Sequence, residues 1–539
     1  MAAPADPPAR PAGQAGRRAP ALAPVRSPVR APVRAPSLPA ALLLAALGAA
    51  LLPVLLTPVL PVRDGYLHAV RYLVLSGVPL PPVVEASYEA DWRLLPNLGM
   101  DVIGAGLMRL LDPLLAMKAV GALTILAPLG GVLALSAALH GRPTAPAALA
   151  GGVLAVNHVT IWGFTNFLVG LGMALGGIAL WLALAGRPRA QMAAALLFGP
   201  PLLLMHGLAF GLWGLGLGAV EIGAAWQGRA SGGLAPGALA RRTLRLLALA
   251  ALPLLLWSRM PTGEAAALTG YFHLGTRGEP LAGRATAEIG WRLYMLLVVG
   301  ETGWRWADLA LGAAFWGLLG LGLRRGALAL HPLIAPAAVG AALLVALTPS
   351  YLLGVAYVGD RAPLLLACVL AAGCRVRPGA RGARAILAGL ALLLAADAAL
   401  TSASWRNQGR HYAAFLEATR GAGLSGTAML LHRGEAGLRG GGTALACDPL
   451  GPLLALTGDV AVPTFDDPTQ QPLRLAGRLA APAASFFALR DLPESGRDVA
   501  GLGFDHVIVC EGGPARPRPD EGRPVLRGER WYLLGPERG

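Results

Sequence analysis

Residues 38–71 read LPAALLLAALGAALLPVLLTPVLPVRDGYLHAVR, and this stretch decides the fold class. Its first part, 38–61, is an apolar run without a charged side chain, and about 20 such residues suffice to cross a bilayer as a helix. The run continues unbroken to about Val62, which is longer than the apolar core of a cleaved signal peptide. We therefore predict an uncleaved first transmembrane helix, followed directly by a polar segment that begins at Arg63.

The rest of the chain repeats this pattern. Ten further apolar runs follow, at 116–139, 145–161, 166–186, 191–206, 207–226, 243–258, 309–323, 331–348, 363–374 and 385–401. Residues 191–226 are too long for one span, so we divide them at His206, where a tight turn is required. The 539 residues are only 14% charged, whereas an ordinary soluble domain is about 25% charged. The sequence thus predicts an α-helical polytopic membrane protein with about eleven transmembrane helices.

Charge placement predicts the orientation of the bundle. The formal net charge is +15, and all but one of the 45 basic residues are arginine, which indicates a biased composition rather than a nucleic-acid-binding surface. Short cytoplasmic loops are enriched in Arg and Lys. With a cytoplasmic N-terminus, the inside loops contain no acid and carry Arg142, Arg187, Arg189, Arg229, Arg241, Arg242, Arg245, Arg324, Arg325, Arg375, Arg377, Arg381 and Arg384. An odd number of spans then places the C-terminal segment outside.

Composition divides the chain into three regions. Residues 1–36 are rich in Pro, Ala and Arg and predict a disordered, basic cytoplasmic tail, because they offer few bulky apolar side chains to pack. Residues 37–401 form the bundle with catalytic-type outer loops. Residues 402–539 are mixed and charged, which predicts a small extracytoplasmic α/β domain with a helix at 412–420, strands at 428–432 and 506–510, and an edge strand at 531–534.

The same C-terminal region contains two cysteines, Cys447 and Cys510. They could form a disulfide in an oxidising compartment. Two cysteines in a domain of this size are, however, more often unpaired, and we favour that interpretation.

The polar residues of the first outer loop are the first candidates for chemistry. Asp64, His68 and Arg71 recur at i, i+4 and i+7, so in a helix they share one face. A carboxylate, an imidazole and a guanidinium can serve as a base, a proton partner and an anion clamp. The alternative is an amphipathic interfacial helix whose charges extend toward water.

Further along this loop, Glu89 and Asp91 are separated by one residue and precede Trp92 and Arg93. The two acids could act as catalytic groups, hold a divalent cation such as Mg²⁺ or Mn²⁺, or bind sugar hydroxyls, with Trp92 as a stacking surface. The pattern also occurs in many solvated loops that bind nothing.

Three later residues stand at predicted outer ends of spans. Arg361 could neutralise a phosphate or pair with Asp360 at the membrane boundary. His206 could contact a ligand or be a packing histidine. Asn166, in a short turn, fits a helix cap or turn residue better than a substrate contact.

Several of these motifs resemble a known group. The stretches 64–71, 92–101 and 162–167 and the pair His206-Gly207 look like those of poorly characterised bacterial polytopic membrane proteins, whose architecture is similar to GT-C glycosyltransferases. Those enzymes take sugar from a polyprenyl-phosphate donor on the outer face of the membrane. The resemblance covers roughly 38–401 and implies a GT-C-like bundle in the bacterial inner membrane.

In that superfamily an acid of the first outer loop is the catalytic base. The resemblance therefore implies Asp64 as the base, with Glu89 and Asp91 as competing candidates, and His68, Arg71, Trp92, Arg93, His206 and Arg361 as substrate-binding residues. It also implies a polyprenyl-phosphate-linked sugar, membrane lipid and a cell-envelope glycan, lipid or protein acceptor as partners, with no nucleic acid. The loop lacks an Asp-Asp or Asp-Glu pair, so metal dependence stays open.

The main alternative is a secondary transporter or a lipid flippase for envelope precursors, followed by a noncatalytic scaffold. Transport sites lie near the bilayer midplane, often in inverted repeats. Here the mid-helix positions are almost purely Leu, Ala and Gly, and no inverted repeat is apparent, which favours the transferase. We expect Gly170, Gly172, Gly176 and Gly177 to permit close helix packing. The loop 259–305 contains a predicted interfacial helix at 285–299, and no site residue is assigned there.

Overall fold

A computed structural model describes residues 40–230, 237–260, 281–352, 355–433, 447–464, 469–480, 503–511, 516–517 and 524–535. The predicted tail 1–36 therefore lies outside the described residues. Most of the described chain is helical. Its α-helices are α1 (Ala40–Leu56), α2 (Gly65–Ser76), α3 (Pro82–Ser87), α4 (Leu98–Leu110), α5 (Pro113–His140), α6 (Ala145–Val153), α7 (His158–Trp162), α8 (Thr165–Ala183), α9 (Pro188–Met205), α10 (Gly207–Ala230), α11 (Ala238–Trp257), α12 (Leu281–Leu297), α13 (Arg305–Arg324), α14 (Ala335–Leu347), α15 (Val358–Gly373), α16 (Ala383–Arg420) and α17 (Leu450–Thr457).

The apolar runs of the sequence coincide with these helices. Each of the eleven predicted runs overlaps at least one helix. Within the described residues, five helices are long and apolar enough to cross a bilayer, namely α5, α8, most of α10, α13 and α16. Shorter apolar helices at Ala40–Leu56, Thr243–Trp257 and Pro332–Leu347 accompany them. The mostly helical membrane fold is thus confirmed, whereas the number of eleven spans stays a prediction.

Two local breaks in the helices matter for the site. The division predicted at His206 is present, because α9 ends at Met205 and α10 begins at Gly207. The run 145–161 is interrupted, because α6 ends at Val153 and Asn157 starts the separate helix α7. The Asn157 side chain accepts a hydrogen bond from the Thr160 amide, and the Thr160 hydroxyl accepts one from the Asn157 amide. Such a capping box satisfies amides at the first turn of a helix and so fixes its start.

The centre of the bundle depends on close contact between α5 and α8. A Cβ atom at Gly172 of α8 would lie 2.2 Å from the Ala127 carbonyl oxygen of α5, which no side chain tolerates. Small residues allow helix backbones to approach each other in membranes. The predicted packing role therefore holds for Gly172, whereas a Cβ at Gly176 would meet open space.

Among the described residues most strands have two to four residues, and the two longer ones belong to the C-terminal sheet. The strands are β1 (Tyr88–Ala90), β2 (Leu328–Leu330), β3 (Tyr351–Leu352), β4 (Val355–Ala356), β5 (Cys374–Val376), β6 (Ser425–Arg433), β7 (Asp459–Ala461), β8 (Leu473–Leu475), β9 (His506–Glu511), β10 (Leu526–Arg527) and β11 (Trp531–Leu534). The five-stranded sheet has the order β10-β11-β9-β6-β7, with β6 parallel to both β7 and β9. The predicted strands are present, but β11 lies between β10 and β9 and is not an edge strand, which corrects that expectation.

The cysteines of this region also correct an expectation. Cys447 and Cys510 form a disulfide with their Cα atoms 6.0 Å apart. Cys510 belongs to β9, and Cys447 is close to the start of α17. Sequence spacing alone could not pair them, because 63 positions separate them and the sheet brings them together.

The C-terminal sheet region packs on the first loop of the bundle. One hydrophobic core contains Tyr66 of α2, Phe415 of α16 and Trp531 of β11. The Tyr88 hydroxyl donates to the Val462 carbonyl at 2.6 Å and accepts from the Val462 amide at 2.8 Å. Strand β1 pairs antiparallel with β8. The predicted boundary at residue 402 lies within α16, which continues from the bundle into this region.

Candidate active site

Three polar and two aromatic side chains from four separate helix junctions meet at the end of the bundle that carries the C-terminal sheet. Asp64 stands immediately before α2, and His206 lies between α9 and α10. Arg361 is in the first turn of α15. Phe164 and Phe167 come from the start of α8 and the turn before it. We call these five residues the junction site.

The backbone of Asp64 is fixed against the C-terminal end of α7. The Arg63 amide donates to the Ile161 carbonyl at 2.8 Å, and the Asp64 amide donates to the Trp162 carbonyl at 3.0 Å. Helix α2 then begins at Gly65, so Asp64 is the residue that precedes its first turn. The backbone at Asp64 is therefore held by the end of α7 and by the start of α2, which are distant in sequence.

Gly163 makes this close approach possible. Its φ of +84° lies in the left-handed region, and a Cβ atom there would be 2.5 Å from the Gly65 nitrogen and 3.1 Å from the Asp64 nitrogen. A side chain at this position would have to push the α1–α2 junction away from α7.

We therefore expect Gly163→Ala to slow any reaction that depends on Asp64 by at least about tenfold, equivalent to about 1.4 kcal/mol. The left-handed conformation adds a strain of about 1–3 kcal/mol for a residue with a Cβ. Gly186→Ala is the matched control, because Gly186 has a φ of +90° but open space around it. Thermal unfolding of both purified variants measures the backbone strain that the two positions share. Turnover measures the displacement of Asp64, which only Gly163→Ala should cause. Equal turnover in the two variants would contradict the expectation.

Arg361 is buried and held by aromatic rings. Its guanidinium carbon lies 4.4 Å from the centre of the Phe164 ring and 5.1 Å from that of Phe167. Its Nη1 lies 3.4 Å from His206 Nε2. The charges of Asp64 and Asp360 both act favourably on the guanidinium. A cation fixed in this way is a preorganised partner for an anion.

A second layer of aromatic and acidic residues surrounds these groups. Trp291 of α12 donates from Nε1 to Asp360 Oδ1 at 3.0 Å. The Trp162 ring lies 4.6 Å from the Tyr357 ring, centre to centre. Tyr357 has a φ of +56°, which is uncommon for a residue with a Cβ. Loop 259–305 thus contributes Trp291, a residue that we had not assigned to a site.

Arg63 connects the junction site to the C-terminal sheet region. Its guanidinium carbon lies 4.5 Å from the centre of the Trp162 ring, and its Nε forms an ion pair with Asp448. Asp448 follows the disulfide-bonded Cys447 directly. The residue before Asp64 is therefore held by both parts of the molecule.

Comparisons with known proteins bear on the fold alone. No protein-family model matches the sequence, and no curated protein matches it either. The crystal structure of ArnT from Cupriavidus metallidurans in the apo state is similar, with a TM-score of 0.52 and 14% identity over 92% of this chain and 97% of that chain. The chain has a GT-C-like fold. A second ArnT structure, bound to undecaprenyl phosphate, gives a TM-score of 0.49 at the same identity and coverage.

The apolar helices and this fold make the chain an integral membrane protein. In the GT-C-like bundle, α2 follows the first apolar helix and carries His68 and Arg71. Its polar residues do not all face the junction site, however. Arg71 Nε lies 2.7 Å from Asp101 Oδ1 of α4, and both side chains are only 1% exposed. Arg71, predicted to bind substrate, is therefore placed in a buried ion pair between two helices.

His68 lies one turn before Arg71 and is partly buried. Burial, followed by the positive charge of Arg71, lowers the pKa of His68 well below its usual value. The imidazole is therefore neutral at pH 7. A neutral His68 can exchange hydrogen bonds with a ligand but adds no positive charge for an anion.

The second group of predicted site residues lies on the surface that β1 and β8 form. It consists of Glu89, Asp91, Trp92 and Arg93. Glu89 is exposed on β1 opposite Arg474 of β8. Asp91 Oδ2 lies 2.7 Å from Arg93 Nη2 and 2.8 Å from Arg474 Nε. Trp92 is 49% exposed. These residues are thus gathered in a solvated cluster of their own, whereas Asp64, His206 and Arg361 meet at the junction site.

The described residues offer no group of three or more His, Cys, Asp or Glu side chains that could hold a metal ion. The two acids predicted as cation ligands also differ in setting. Asp91 is paired with two arginines, and Glu89 faces outward from β1. Participation of Mg²⁺ or Mn²⁺ stays a prediction that requires a direct assay.

Asn166, which we expected to serve as a cap or turn residue, binds a different helix. Its Oδ1 accepts a hydrogen bond from the Met100 amide at 3.0 Å, near the start of α4. It therefore ties α8 to α4. This contact joins two helices, and the role of Asn166 as a cap or turn residue stays a prediction.

Proposed function

We propose that the chain is an integral-membrane glycosyltransferase that moves a sugar from a polyprenyl-phosphate donor to a cell-envelope acceptor on the outer face of the membrane. One observation carries the proposal. In a GT-C-like bundle, separate helices bring the Asp64 carboxylate and the buried Arg361 guanidinium to the same end, close enough to interact electrostatically.

The proposed reaction uses these two groups in different ways. Asp64 accepts the proton of an acceptor hydroxyl while that oxygen attacks the anomeric carbon of the donor sugar. The bond between the anomeric carbon and the phosphate oxygen breaks, and its electrons stay on the lipid phosphate. Arg361 neutralises the developing charge on that phosphate, and His206 lies beside it at hydrogen-bond distance.

The setting of Arg361 supports a lipid-linked donor. The residue is buried in the first turn of α15, and the helix continues with an apolar sequence from Pro363 onward. A phosphate attached to a long apolar chain can place its charge at Arg361 while the chain stays in the membrane. This argument supports a polyprenyl phosphate and leaves the sugar and the acceptor open.

The test uses the purified full-length chain in lipid nanodiscs. Radiolabelled polyprenyl-phosphate pentoses and hexoses are supplied with extracted envelope glycans and lipids as acceptors. We expect label to appear in one acceptor fraction, and assays with and without EDTA show whether a divalent cation takes part. Movement of the labelled donor across liposome membranes without any sugar transfer would contradict the proposal and favour a flippase.

A further inference from the structure

A buried histidine–glutamate pair adjoins the junction site. His158 Nδ1 lies 2.7 Å from Glu301 Oε2, and both residues are more than nine-tenths buried. His158 is the first residue of α7, and Glu301 lies in the connection between α12 and α13. The pair is distinct from Asp64, Arg361 and His206, and the proposed mechanism does not use it.

Both partners are held in place by the backbone around them. The capping box of Asn157 fixes the start of α7, at which His158 stands. The Glu301 amide donates to the Val156 carbonyl at 3.3 Å, which joins the two loops directly. The imidazole therefore has little freedom to rotate. A ring oriented by a carboxylate at one nitrogen presents its other nitrogen in a defined direction.

His158 also lines a small cavity. His158 Nε2 is buried and has no hydrogen-bond partner among the residues that the structure describes. The cavity of about 10 Å³ is lined by His158, Asn157 and Asp360 together with apolar side chains such as Met295 and Val298. This is close to the space that one water molecule needs. One hydroxyl oxygen has about the same size, so the cavity fits a single hydroxyl group.

Aromatic rings flank the pair. The His158 ring lies 5.3 Å from the Trp162 ring and 6.2 Å from the Trp291 ring, centre to centre. Trp291 in turn donates to Asp360, the neighbour of Arg361. A few placed polar groups among aromatic walls are typical of sites for small polar ligands such as sugars. Trp291 and Asp360 therefore connect the His158–Glu301 pair to the residue next to Arg361.

We propose that His158, oriented by Glu301, forms a hydrogen bond with one hydroxyl of the transferred sugar and so determines which sugar is bound. Nδ1 pairs with Glu301 Oε2, and Nε2 is left to pair with the hydroxyl. The hydroxyl oxygen occupies the cavity beside His158. This inference rests on the proposed function and adds to it the group that recognises the donor sugar.

The test compares donors in which each sugar hydroxyl in turn is replaced by hydrogen. Their affinities are measured by displacement of a radiolabelled polyprenyl-phosphate sugar from the full-length protein in nanodiscs, so no turnover is required. For wild type we expect one deoxy donor to bind about 10- to 100-fold more weakly than the parent, as expected for the loss of one hydrogen bond in a buried site. In His158→Ala this difference should fall to less than about threefold.

A second variant and a control keep the test decisive. Glu301→Ala retains the imidazole but removes the carboxylate that orients it. We therefore expect its ratio of parent to deoxy donor affinity to lie between the ratios of wild type and His158→Ala. His411→Gln removes a histidine of α16 outside the cavity lining and should discriminate as wild type does. A purely structural role of His158 would weaken all donors equally and leave their ratio unchanged, which would overturn the inference. Discrimination that appears only among deoxy acceptors would also overturn it.

Failure of this inference can be told apart from failure of the proposed function. A wild-type protein that transfers sugar without discriminating among deoxy donors contradicts the role of His158 alone. A wild-type protein that binds and discriminates these donors but transfers none contradicts the glycosyltransferase and leaves the hydroxyl site standing.

Discussion

Replacement of Asp64 with Asn should lower the rate of sugar transfer by about 10²- to 10⁴-fold, the range that general acid–base groups contribute. The amide has nearly the same shape as the carboxylate but cannot accept the proton of the acceptor hydroxyl. Donor affinity should change much less, because Arg361 and its aromatic neighbours remain in place. The measured pair is therefore kcat and the donor Kd, and the loss should appear in kcat.

Three further variants make this result specific. Glu85→Gln is the matched control, because Glu85 is an exposed carboxylate of α3 in the same loop. Glu89→Gln and Asp91→Asn test the competing candidates on the β1–β8 surface. A transfer rate that falls in either of them while Asp64→Asn stays active would refute the assignment of Asp64 and move the base to that surface.

Replacement of Arg71 with Leu should destabilise the protein by about 3–5 kcal/mol, because it leaves the buried carboxyl of Asp101 without its partner. Both side chains lie between α2 and α4 and are almost completely shielded from water. Breaking a buried ion pair from one side leaves a charge that neither water nor another cation compensates. Thermal unfolding of the purified variant in detergent reports the effect as a lower Tm.

The dependence of this loss on pH has a defined sign. Burial raises the pKa of Asp101, and the charge of Arg71 opposes that effect. Without Arg71 the pKa of Asp101 in the folded state rises further above its value in the unfolded chain. The protonated carboxyl then favours the folded state at low pH, and this contribution disappears as the pH rises through the folded-state pKa. The loss of stability in the variant should therefore be smallest at the lowest pH at which both proteins stay folded, and it should grow as the pH rises.

A double variant separates the ion pair from its individual charges. Arg71→Leu combined with Asp101→Leu removes both charges and should recover much of the stability that Arg71→Leu alone loses. A double variant as unstable as the sum of the two single variants would show that the charges do not act as a pair. The loss of stability in Arg71→Leu would then come from lost packing alone.

Much of the bundle could be predicted from sequence, because the length of an apolar run is a local property. A run of about 20 apolar residues matches the thickness of the bilayer core. The run 38–61 became α1, and the division at His206 separates α9 from α10. The helix that carries His68 and Arg71 also follows from its local pattern. The break in the run 145–161 was missed because Asn157 interrupts it through a cap, which apolar content does not reveal.

The candidate site could be predicted only in part. Asp64 and Arg361 were recognised one at a time by residue type and position, but their proximity is a tertiary property. Nη1 of Arg361 meets a histidine 155 positions away, and His158 meets Glu301 across 143 positions. No periodicity of one segment contains such information. The direction of Arg71 was missed for the same reason, because its partner Asp101 is on another helix.

The ion pair between Arg63 and Asp448 has a consequence for biosynthesis. Arg63, which precedes Asp64, pairs with a residue in the last fifth of the chain, beyond the candidate membrane spans of the described residues. A ribosome delivers the N-terminal part of a protein first, at about 5–20 residues per second. The bundle can therefore enter the membrane before its first loop has its final support, and the site matures only when the last segment has folded onto it.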